Sequence, residues 1–158
     1  TDVIVPVEMK SFDFFVTRVV RVTIPGGVDS IGDYAFCGCK SLTSLIIPNS
    51  VTDIGDYALL GCDALTSVAI PNSVTCIGKY AFSQCDNLTS FTIPNSVENI
   101  GEYAFFNNTN LVSITIPGSV TSIGDSAFAI CEALTIICPE GSFVWNYAVE
   151  NNIPHKAS

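Results

Sequence analysis

The sequence predicts an α/β repeat solenoid, in which each repeat stacks on the one before it. Two observations support this prediction: an Ile-Pro pair recurs with a step of 23 residues, and an Ile-Gly pair recurs with the same step. The prolines are Pro25, Pro48, Pro71, Pro94 and Pro117, and the glycines are Gly32, Gly55, Gly78, Gly101 and Gly124. A fixed period of about 20 to 50 residues is typical of solenoids, whose repeats cannot bury their apolar faces alone.

The composition argues against several classes of protein. Apolar residues make up 48% of the 158 residues and charged residues 13%, which is too apolar for a disordered chain. No run approaches the ~18 consecutive apolar residues that cross a bilayer, so we expect no membrane insertion. The net charge is -9 and the six basic residues are scattered, so no basic stripe is present to bind nucleic acid. We therefore expect one elongated domain.

Each repeat divides into three segments, which the second repeat illustrates. Leu45 and Ile47 face inward two residues apart, as a strand requires, and the proline closes the strand where its missing N–H costs least. Val51 and Ile54 repeat the inward pattern in a second short extended segment that ends at the glycine. Residues 56–62 suit a short helical turn, whose leading acid can cap the first N–H groups.

The seven cysteines fall into two groups. Four of them occupy one repeat position, where the fourth repeat instead carries Asn108. These four are Cys39, Cys62, Cys85 and Cys131. We expect a small apolar ladder of thiols, because parallel side chains in stacked coils seldom give disulfide geometry. Asn108 then needs a hydrogen-bond partner if it is buried. The cysteines off the ladder, which we expect to be partly exposed, are Cys37, Cys76 and Cys138.

The repeat pattern resembles that of a known protein family. The pattern L-T-S-x-x-I-P-x-S-V-T-x-I-G-x-Y-A-F-x-x-C resembles the repeat of the BspA-like leucine-rich repeat proteins over residues 19–139. This resemblance implies a right-handed leucine-rich-repeat solenoid with a parallel sheet on one face and short helical turns on the other. Members of this family are commonly surface or secreted proteins of host-associated microbes, and some of these proteins are adhesins, so the resemblance implies a similar setting here. The family motif contains no catalytic residues. The departures from the usual pattern include Leu59 for Phe and Ser126 for Tyr.

The two ends of the chain are expected to close the solenoid. Residues 1–18 do not keep the period and are interpreted as an irregular N-terminal cap or a degenerate repeat. Residues 140–158 are similar to the closing helix and tail of many arrays of this family. The helix would begin at the N-cap Ser142. The residues expected to face the last coil are Val144, Tyr147 and Ala148.

No catalytic, metal or cofactor site is predicted. The one histidine, His155, follows the closing helix and is expected to be a solvated tail residue. Cys37, Cys39 and Cys62 could offer three thiolates to zinc, but structural zinc sites usually have four ligands. A row of acids at one repeat position could hold calcium, although helix capping explains the same positions and is favoured. The row contains Asp33, Asp56, Glu102 and Asp125 and is interrupted by Lys79.

Two surfaces are candidates for contact with a partner. The first, called the sheet face below, comprises the outward residues of the main strands: Arg21, Thr23, Ser44, Ile46, Ser67, Ala69, Ser90, Thr92, Ser113 and Thr115. Short polar side chains also suit an exposed strand that binds nothing, so this alternative stays open. The second is apolar and comprises Trp145 and Val149 on the closing helix, with Leu60 and Phe106 at one repeat position. Trp145 could instead fold back over the last coil.

The expected function is a non-catalytic protein-binding or adhesion module of a cell-surface or secreted protein. Its partner would be a host or microbial surface macromolecule, either a protein or a glycan, and no cofactor is expected. The extracellular or cell-surface location follows from the resemblance alone. Two alternatives stay open, a structural spacer in a larger surface protein and an intracellular interaction scaffold, which unbridged thiols would suit.

Overall fold

The computed structural model describes residues 18–158, and for residues 2–4 it describes the backbone alone. Residues 1 and 5–17, which make up most of the expected N-terminal cap, lie outside the described residues. The coils are numbered from one to five and begin at residues 19, 42, 65, 88 and 111. In chain order the elements are β1 (Asp2–Ile4), β2 (Arg21–Thr23), β3 (Ser30–Ile31), β4 (Ser44–Ile46), β5 (Asp53–Ile54), β6 (Cys76–Ile77), β7 (Ser90–Thr92), β8 (Asn99–Ile100), β9 (Ser113–Thr115), β10 (Ser122–Ile123), β11 (Thr135–Cys138), α1 (Phe143–Glu150) and β12 (His155–Ala157).

Among the described strands every neighbouring pair is parallel, and from β2 to β11 each paired residue meets its equivalent in the next coil. Val22 pairs with Leu45, and Phe91 pairs with Ile114, both 23 residues apart. The main sheet is formed by β1, β2 and β4 and, further along, by β7, β9, β11 and β12. The second sheet runs unbroken through β3, β5, β6, β8 and β10. The predicted parallel sheet and the second extended segment are therefore confirmed.

The core is a strip of stacked apolar side chains that runs the length of the described coils. Within each main strand the middle residue is buried, as Val22, Leu45 and Ile114 show, while its neighbours face outward. Phenylalanines from successive coils also stack, with ring centroids 5.4 Å apart for Phe82 and Phe105. The repeat period thus places like residues in contact, as a solenoid requires.

The helical turns expected on the other side are not confirmed. This side, called the turn face, consists of residues 33–39, 56–62, 79–85, 102–108 and 125–131, which form consecutive turns. In the first coil Ala35 N donates to Gly32 O at 3.2 Å, whereas Tyr34 N donates to Asp56 O of the next coil at 2.9 Å. A helix cannot pass through a residue in the left-handed region. The second residue of each of these segments lies there, with φ between 54° and 59°: Tyr34, Tyr57, Tyr80, Tyr103 and Ser126.

The glycines of the Ile-Gly pairs allow the coils to touch backbone to backbone. A Cβ atom added to Gly78 would lie 2.6 Å from the carbonyl carbon of Gly55. One added to Gly101 would lie at the same distance from the carbonyl carbon of Gly78. Real Cβ atoms do not approach backbone this closely, so a side chain at this column would force the coils apart.

The predicted closing helix is present as α1. The Ser142 hydroxyl accepts a hydrogen bond from Trp145 N at 3.2 Å, which confirms Ser142 as the N-cap. Val144 and Ala148 are fully buried. Tyr147 packs the edge of its ring against Phe128, with ring centroids 6.2 Å apart. Helix α1 therefore covers the last coil as expected.

The prediction that His155 is a solvated tail residue is wrong. His155 begins β12, which pairs with β11 through Ile136, and its side chain is half-buried. Its ring meets that of Trp145 edge to face, with centroids 4.5 Å apart, and its Nδ1 lies 2.9 Å from Ile153 O. The tail returns to the sheet because β11 otherwise has an unpaired edge beyond the last coil.

Candidate functional site

The sheet face lies on the outer side of the main sheet, as predicted. Eight of its ten residues alternate with buried ones along β2, β4, β7 and β9, and the other two, Ser67 and Ala69, lie on either side of the half-buried Val68. Most are exposed, while Ser44, Ser113 and Thr115 are half-buried. Ile46 is 52% exposed and is one of the large apolar side chains that the described coils present to solvent.

The third coil interrupts this face. Residues 67–69 form no strand and join β4 only through an isolated bridge between Ile46 and Ala69. Within residues 18–158, no pairing connects them to β7 on the other side. The inward residues Val68 and Ile70 are half-buried here, although their equivalents in the second coil are buried. The main sheet is therefore open between the third and fourth coils, a feature that the sequence pattern did not reveal.

A groove of about 780 Å³ follows this opening and is called the sheet groove. It is lined by residues 67–70, 90–95 and 115–118, together with Asn72, Pro139 and Ser158. Among these, Val68, Ile70 and the buried strand residues form apolar walls. None of the lining side chains is charged, in a chain whose net charge is -9. Clefts of about 300–1,000 Å³ with a few polar groups are typical of ligand sites.

The acidic row lies on the turn face, away from the sheet groove. Two of its four carboxylates accept a hydrogen bond from a backbone amide of the next coil: Asp33 Oδ1 from Asp56 N, and Asp56 Oδ1 from Lys79 N, both at 2.8 Å. The expectation that the acids cap their own turns is therefore wrong for Asp33 and Asp56, because each of them accepts from the amide of the next coil. Lys79 Nζ then pairs with Glu102 at 2.6 Å, and this hydrogen bond raises the pKa of Lys79.

The residues described offer no group of three or more His, Cys, Asp or Glu side chains that could hold a metal ion. The three thiols considered for zinc and the acids considered for calcium are thus not brought together as ligands. The carboxylates are occupied instead with backbone amides, as at Asp33 and Asp56.

The cysteine ladder has a shared hydrogen-bonding role. Three of the four ladder thiols donate to the carbonyl oxygen 26 residues earlier, as Cys62 does to Phe36 at 3.2 Å and Cys85 to Leu59 at 3.3 Å. Cys131 makes the same bond in the fifth coil. The ladder residues therefore link each coil to the preceding one, which explains why one small donor recurs at this position.

Asn108 takes over this role in the fourth coil. Its Nδ2 donates to Phe82 O at 2.8 Å and to Phe105 O at 2.9 Å, and its Oδ1 accepts from Cys85 N at 2.8 Å. The side chain is fully buried. The expectation that a buried Asn108 finds partners is confirmed.

The thiols are poorly suited to nucleophilic chemistry. The seven cysteines, all of which lie among the described residues, form no disulfide. Burial raises the pKa of Cys39 to about 11 and that of Cys85 to about 12, and it raises the pKa of Cys62 further. Since the thiolate is the reactive form, these groups are inert near neutral pH. Cys138, which was expected to be partly exposed, is buried because it occupies an inward position of β11.

A stack of four tyrosines on the turn face was missed at the sequence level, although the recurrence of Tyr with the repeat step was a visible signal. The rings of Tyr34, Tyr57, Tyr80 and Tyr103 lie nearly parallel, with successive centroids 4.7, 5.0 and 4.7 Å apart. Ser126 stands at the fifth position, so the stack ends at Tyr103.

The predicted apolar contact residues do not form one surface. Phe106 is half-buried with its ring nearly perpendicular to that of Tyr103, at 5.5 Å, and Leu60 is half-buried on the same face. Trp145 packs against the core and against the ring of His155. This placement corresponds to the alternative in which Trp145 folds back over the last coil. Val149 is 53% exposed. A contact role for these four residues stays a prediction.

Comparison with known proteins places these features in a family. The BspA type leucine rich repeat region matches residues 7–135 in six copies. The chain belongs to this family. Its parallel-strand solenoid is thus a leucine-rich-repeat fold, which is typical of protein-interaction modules and typically non-catalytic. No match was found among curated proteins.

Solved structures of bacterial leucine-rich repeat proteins resemble the chain closely. A leucine-rich repeat protein of T. pallidum superimposes with a TM-score of 0.81 at 26% identity over 99% of this chain and 85% of that one. A leucine-rich repeat protein of Bacteroides ovatus is 40% identical, with a TM-score of 0.71 over 75% of this chain and 33% of that one. A leucine rich cell surface protein of Faecalibacterium prausnitzii is 36% identical, with a TM-score of 0.75 over 82% of this chain. The chain spans only 34% of that cell surface protein.

The one helix in the described part of the chain, α1, has eight residues. No described helix has the length and apolar character needed to cross a bilayer.

Proposed function

We propose that the chain is a non-catalytic binding module of a cell-surface or secreted protein, and that it attaches to a host or microbial surface macromolecule through its sheet face. The observation that carries the proposal is the uncharged sheet groove of about 780 Å³. The outward residues of the main strands form its floor, and Ser67, Ser90 and Thr92 are both lining residues and members of the sheet face.

The distribution of charge supports the sheet face over the other two sides. Acids occupy the turn face, as at Asp33 and Asp56, and the second sheet, as at Asp53. Those sides repel the negatively charged surfaces that are common on cells. Their carboxylates are also hydrated, and a partner that covered them would have to remove this water at a cost in free energy. A partner that covers the sheet groove does not remove water from a charged side chain. The free-energy cost of desolvation is therefore lowest on the sheet face.

The rigid backbone also supports a binding role. Stacked coils hold the outward strand residues at fixed spacing, so little conformational entropy is lost when a partner binds. Protein–protein interfaces depend on a few anchors in a desolvated centre. The half-buried Val68 and Ile70 in the groove provide apolar walls that can receive such an anchor.

The surface location is supported by the family and by the cell-surface relative of Faecalibacterium prausnitzii. A structural spacer would use the same solenoid without any binding face. An intracellular scaffold would be consistent with seven thiols and no disulfide.

The proposal is tested by two experiments on the source cells and the purified chain. Protease shaving of intact cells should release peptides of this chain before a cytoplasmic marker protein appears. The purified chain should bind at least one of immobilised collagen, laminin, fibronectin or peptidoglycan saturably, with a dissociation constant below about 10 μM.

Two outcomes would contradict the proposal. Protection of the chain until the cells lyse would favour the intracellular scaffold. Release from cells, combined with no saturable binding to any of the four probes, would favour the spacer.

A further inference from the structure

The main sheet is fully open at one step of the solenoid. The isoleucine of the Ile-Pro pair donates to the next coil at three steps: Ile24 N to Ile46 O at 3.0 Å, Ile93 N to Thr115 O at 2.9 Å, and Ile116 N to Ile137 O at 2.9 Å. Among the described residues Ile47 makes no such bond, and its coil meets the third coil in this sheet only at the bridge between Ile46 and Ala69. Ile70 has no such bond to β7 among the residues described. The remainder of the same two coils stays joined, because β6 pairs with β8 and the turn face is hydrogen-bonded. The opening is therefore local.

The opening leaves backbone groups of β7 without partners. Ile93 N donates to the fifth coil, and Thr89 O accepts from the fifth coil. Alternate residues of a parallel strand direct their backbone groups to opposite neighbours, so Ser90 and Thr92 direct theirs toward the third coil. Within residues 18–158, no backbone hydrogen bond reaches those groups from the third coil. β7 thus presents an open strand edge inside the sheet groove.

The chemistry of the groove restricts what can pair with this edge. No lining side chain is charged, so a charged side chain of a ligand would lose its water without gaining a side-chain counter-ion. The side chains of Val68 and Ile70 form an apolar wall, while Ser90 and Thr92 supply short hydroxyl groups. An extended chain offers both the backbone donors and acceptors and the alternating side chains that such a site requires.

We propose that the sheet groove binds an extended, uncharged polypeptide segment of a partner, whose backbone pairs with Ser90 and Thr92 of β7. Backbone pairing supplies affinity, and an aliphatic side chain of the segment packs against Val68 and Ile70 to supply specificity. This inference rests on the proposed function, since it names the partner class for the same face.

The free chain provides the first test, by hydrogen exchange of individual amides. Ser113 and Thr115, at the equivalent positions of β9, pair with β7 in register. The amides of Ser90 and Thr92 should exchange at least about ten-fold faster than those of Ser113 and Thr115, because they lack partners. Equal protection of the two pairs would show that the edge is closed and would overturn the inference.

A tethered peptide provides the second test. Ser158 lines the sheet groove, so a segment joined after it by a linker of about ten Gly and Ser residues is held near the groove at roughly millimolar concentration. The probe is the peptide LTSLIIP, which is residues 42–48 of this chain and carries an uncharged strand pattern. The control is the same fusion with LTSDIDP, which places two charges in the segment.

The tethered LTSLIIP peptide should slow exchange at the Ser90 and Thr92 amides at least about ten-fold, whereas the LTSDIDP control should not. Unchanged exchange with the first peptide, or equal slowing with both, would overturn the proposed pairing with an uncharged segment.

A proline substitution separates this inference from the proposed function. Thr92→Pro removes an N–H that has no internal partner, so the variant should keep its melting temperature. Thr115→Pro, its matched control, removes a ladder bond and should melt at lower temperature. For a probe that binds the wild-type chain, Thr92→Pro should weaken binding at least about ten-fold. Full binding by Thr92→Pro together with loss of binding after Ser44→Glu, Ser67→Glu and Ser90→Glu would overturn the inference and leave the proposed function standing.

Discussion

The Nδ2 atom of Asn108 donates to the carbonyl oxygen of Phe82 at 2.8 Å, which is the same link that cysteine thiols make in neighbouring coils. The fourth coil therefore keeps the ladder bond with a different residue. A polar side chain in the core is tolerated because its donor and its acceptor are both satisfied.

Asn108→Cys should lower the free energy of unfolding by only about 1 kcal/mol, because the thiol can donate to Phe82 O as Cys85 donates to Leu59 O, while the bond from Cys85 N to Asn108 Oδ1 is lost without replacement. Asn108→Ala should cost about 3 kcal/mol, because the buried groups Cys85 N and Phe82 O both lose their side-chain partner. Urea denaturation measures both variants. If the two variants lose similar amounts of unfolding free energy, the hydrogen bond to Phe82 O is not what stabilises the fold at the ladder position.

Gly78→Ala should destabilise the solenoid by about 2–3 kcal/mol, because the new methyl group would meet the backbone of Gly55. The matched control is Gly26→Ala, since nothing lies within 4 Å of a Cβ at that position. The control should be neutral or stabilising by up to about 1 kcal/mol. Thermal denaturation followed by circular dichroism compares the two, and equal melting temperatures would contradict the close approach of the coils.

Ser126→Tyr should extend the tyrosine stack to a fifth ring and stabilise the fold by about 0.5–1.5 kcal/mol. The φ angle of Ser126 is 55°, the same as that of Tyr103, so a tyrosine at position 126 needs no change of backbone conformation. Ser126→Leu is the control for added apolar area without a ring that stacks. The stacking argument fails if Leu stabilises the chain as much as Tyr does in the same urea titration.

The fold should lose stability as pH rises above about 9. Burial raises the pKa of Cys39 to about 11 and of Cys85 to about 12, while unfolded thiols ionise near the ordinary value of 9.0. Between these values the unfolded chain releases its protons and the folded chain keeps them, so a rise in pH favours unfolding. The pKa of Tyr80 is also raised, mainly by burial, and acts in the same direction.

Melting temperatures at pH 7.0, 8.0, 9.5 and 10.5 measure this effect. They should be nearly level between pH 7.0 and 8.0 and fall at the two higher values. Iodoacetamide at pH 8 should label Cys85 and Cys62 more slowly in the folded chain than in urea. A melting temperature that rises with alkaline pH would contradict the raised thiol pKa values.

The repeat period made most of the fold predictable. Residues that recur at one step must stack, so the inward position of Leu45 and the need of a buried Asn108 for hydrogen-bond partners followed from sequence. The N-cap at Ser142 was predicted separately, from the capping preference of serine before a helix. The conformation of the turn face did not follow, because tyrosine has no intrinsic preference for positive φ and Tyr34 adopts it only through contacts with the next coil.

The candidate site was only partly predictable. Strand alternation assigned the outward residues of β2, β4, β7 and β9 correctly, whereas Ser67 and Ala69 lie in no strand. The opening beside β7 was not, because residues 65–71 carry the same apolar pattern as the other repeats, and strand pairing depends on the packing of both neighbours. The hydrogen bond that Asp56 N donates to Asp33 Oδ1 was missed because an acid before a turn predicts a local cap equally well.

Binding by two charge variants tests the central claim, that partners attach through the sheet face, most directly. One carries Ser44→Glu, Ser67→Glu and Ser90→Glu on the sheet face, and the other carries Ser30→Glu, Asn99→Glu and Ser122→Glu on the second sheet, so both gain three negative charges. With the probe that the wild-type chain binds, the first variant should lose at least about ten-fold in affinity while the second stays within about two-fold. Equal affinities for the two variants, or a larger loss in the second, would contradict the assignment of the sheet face as the binding surface.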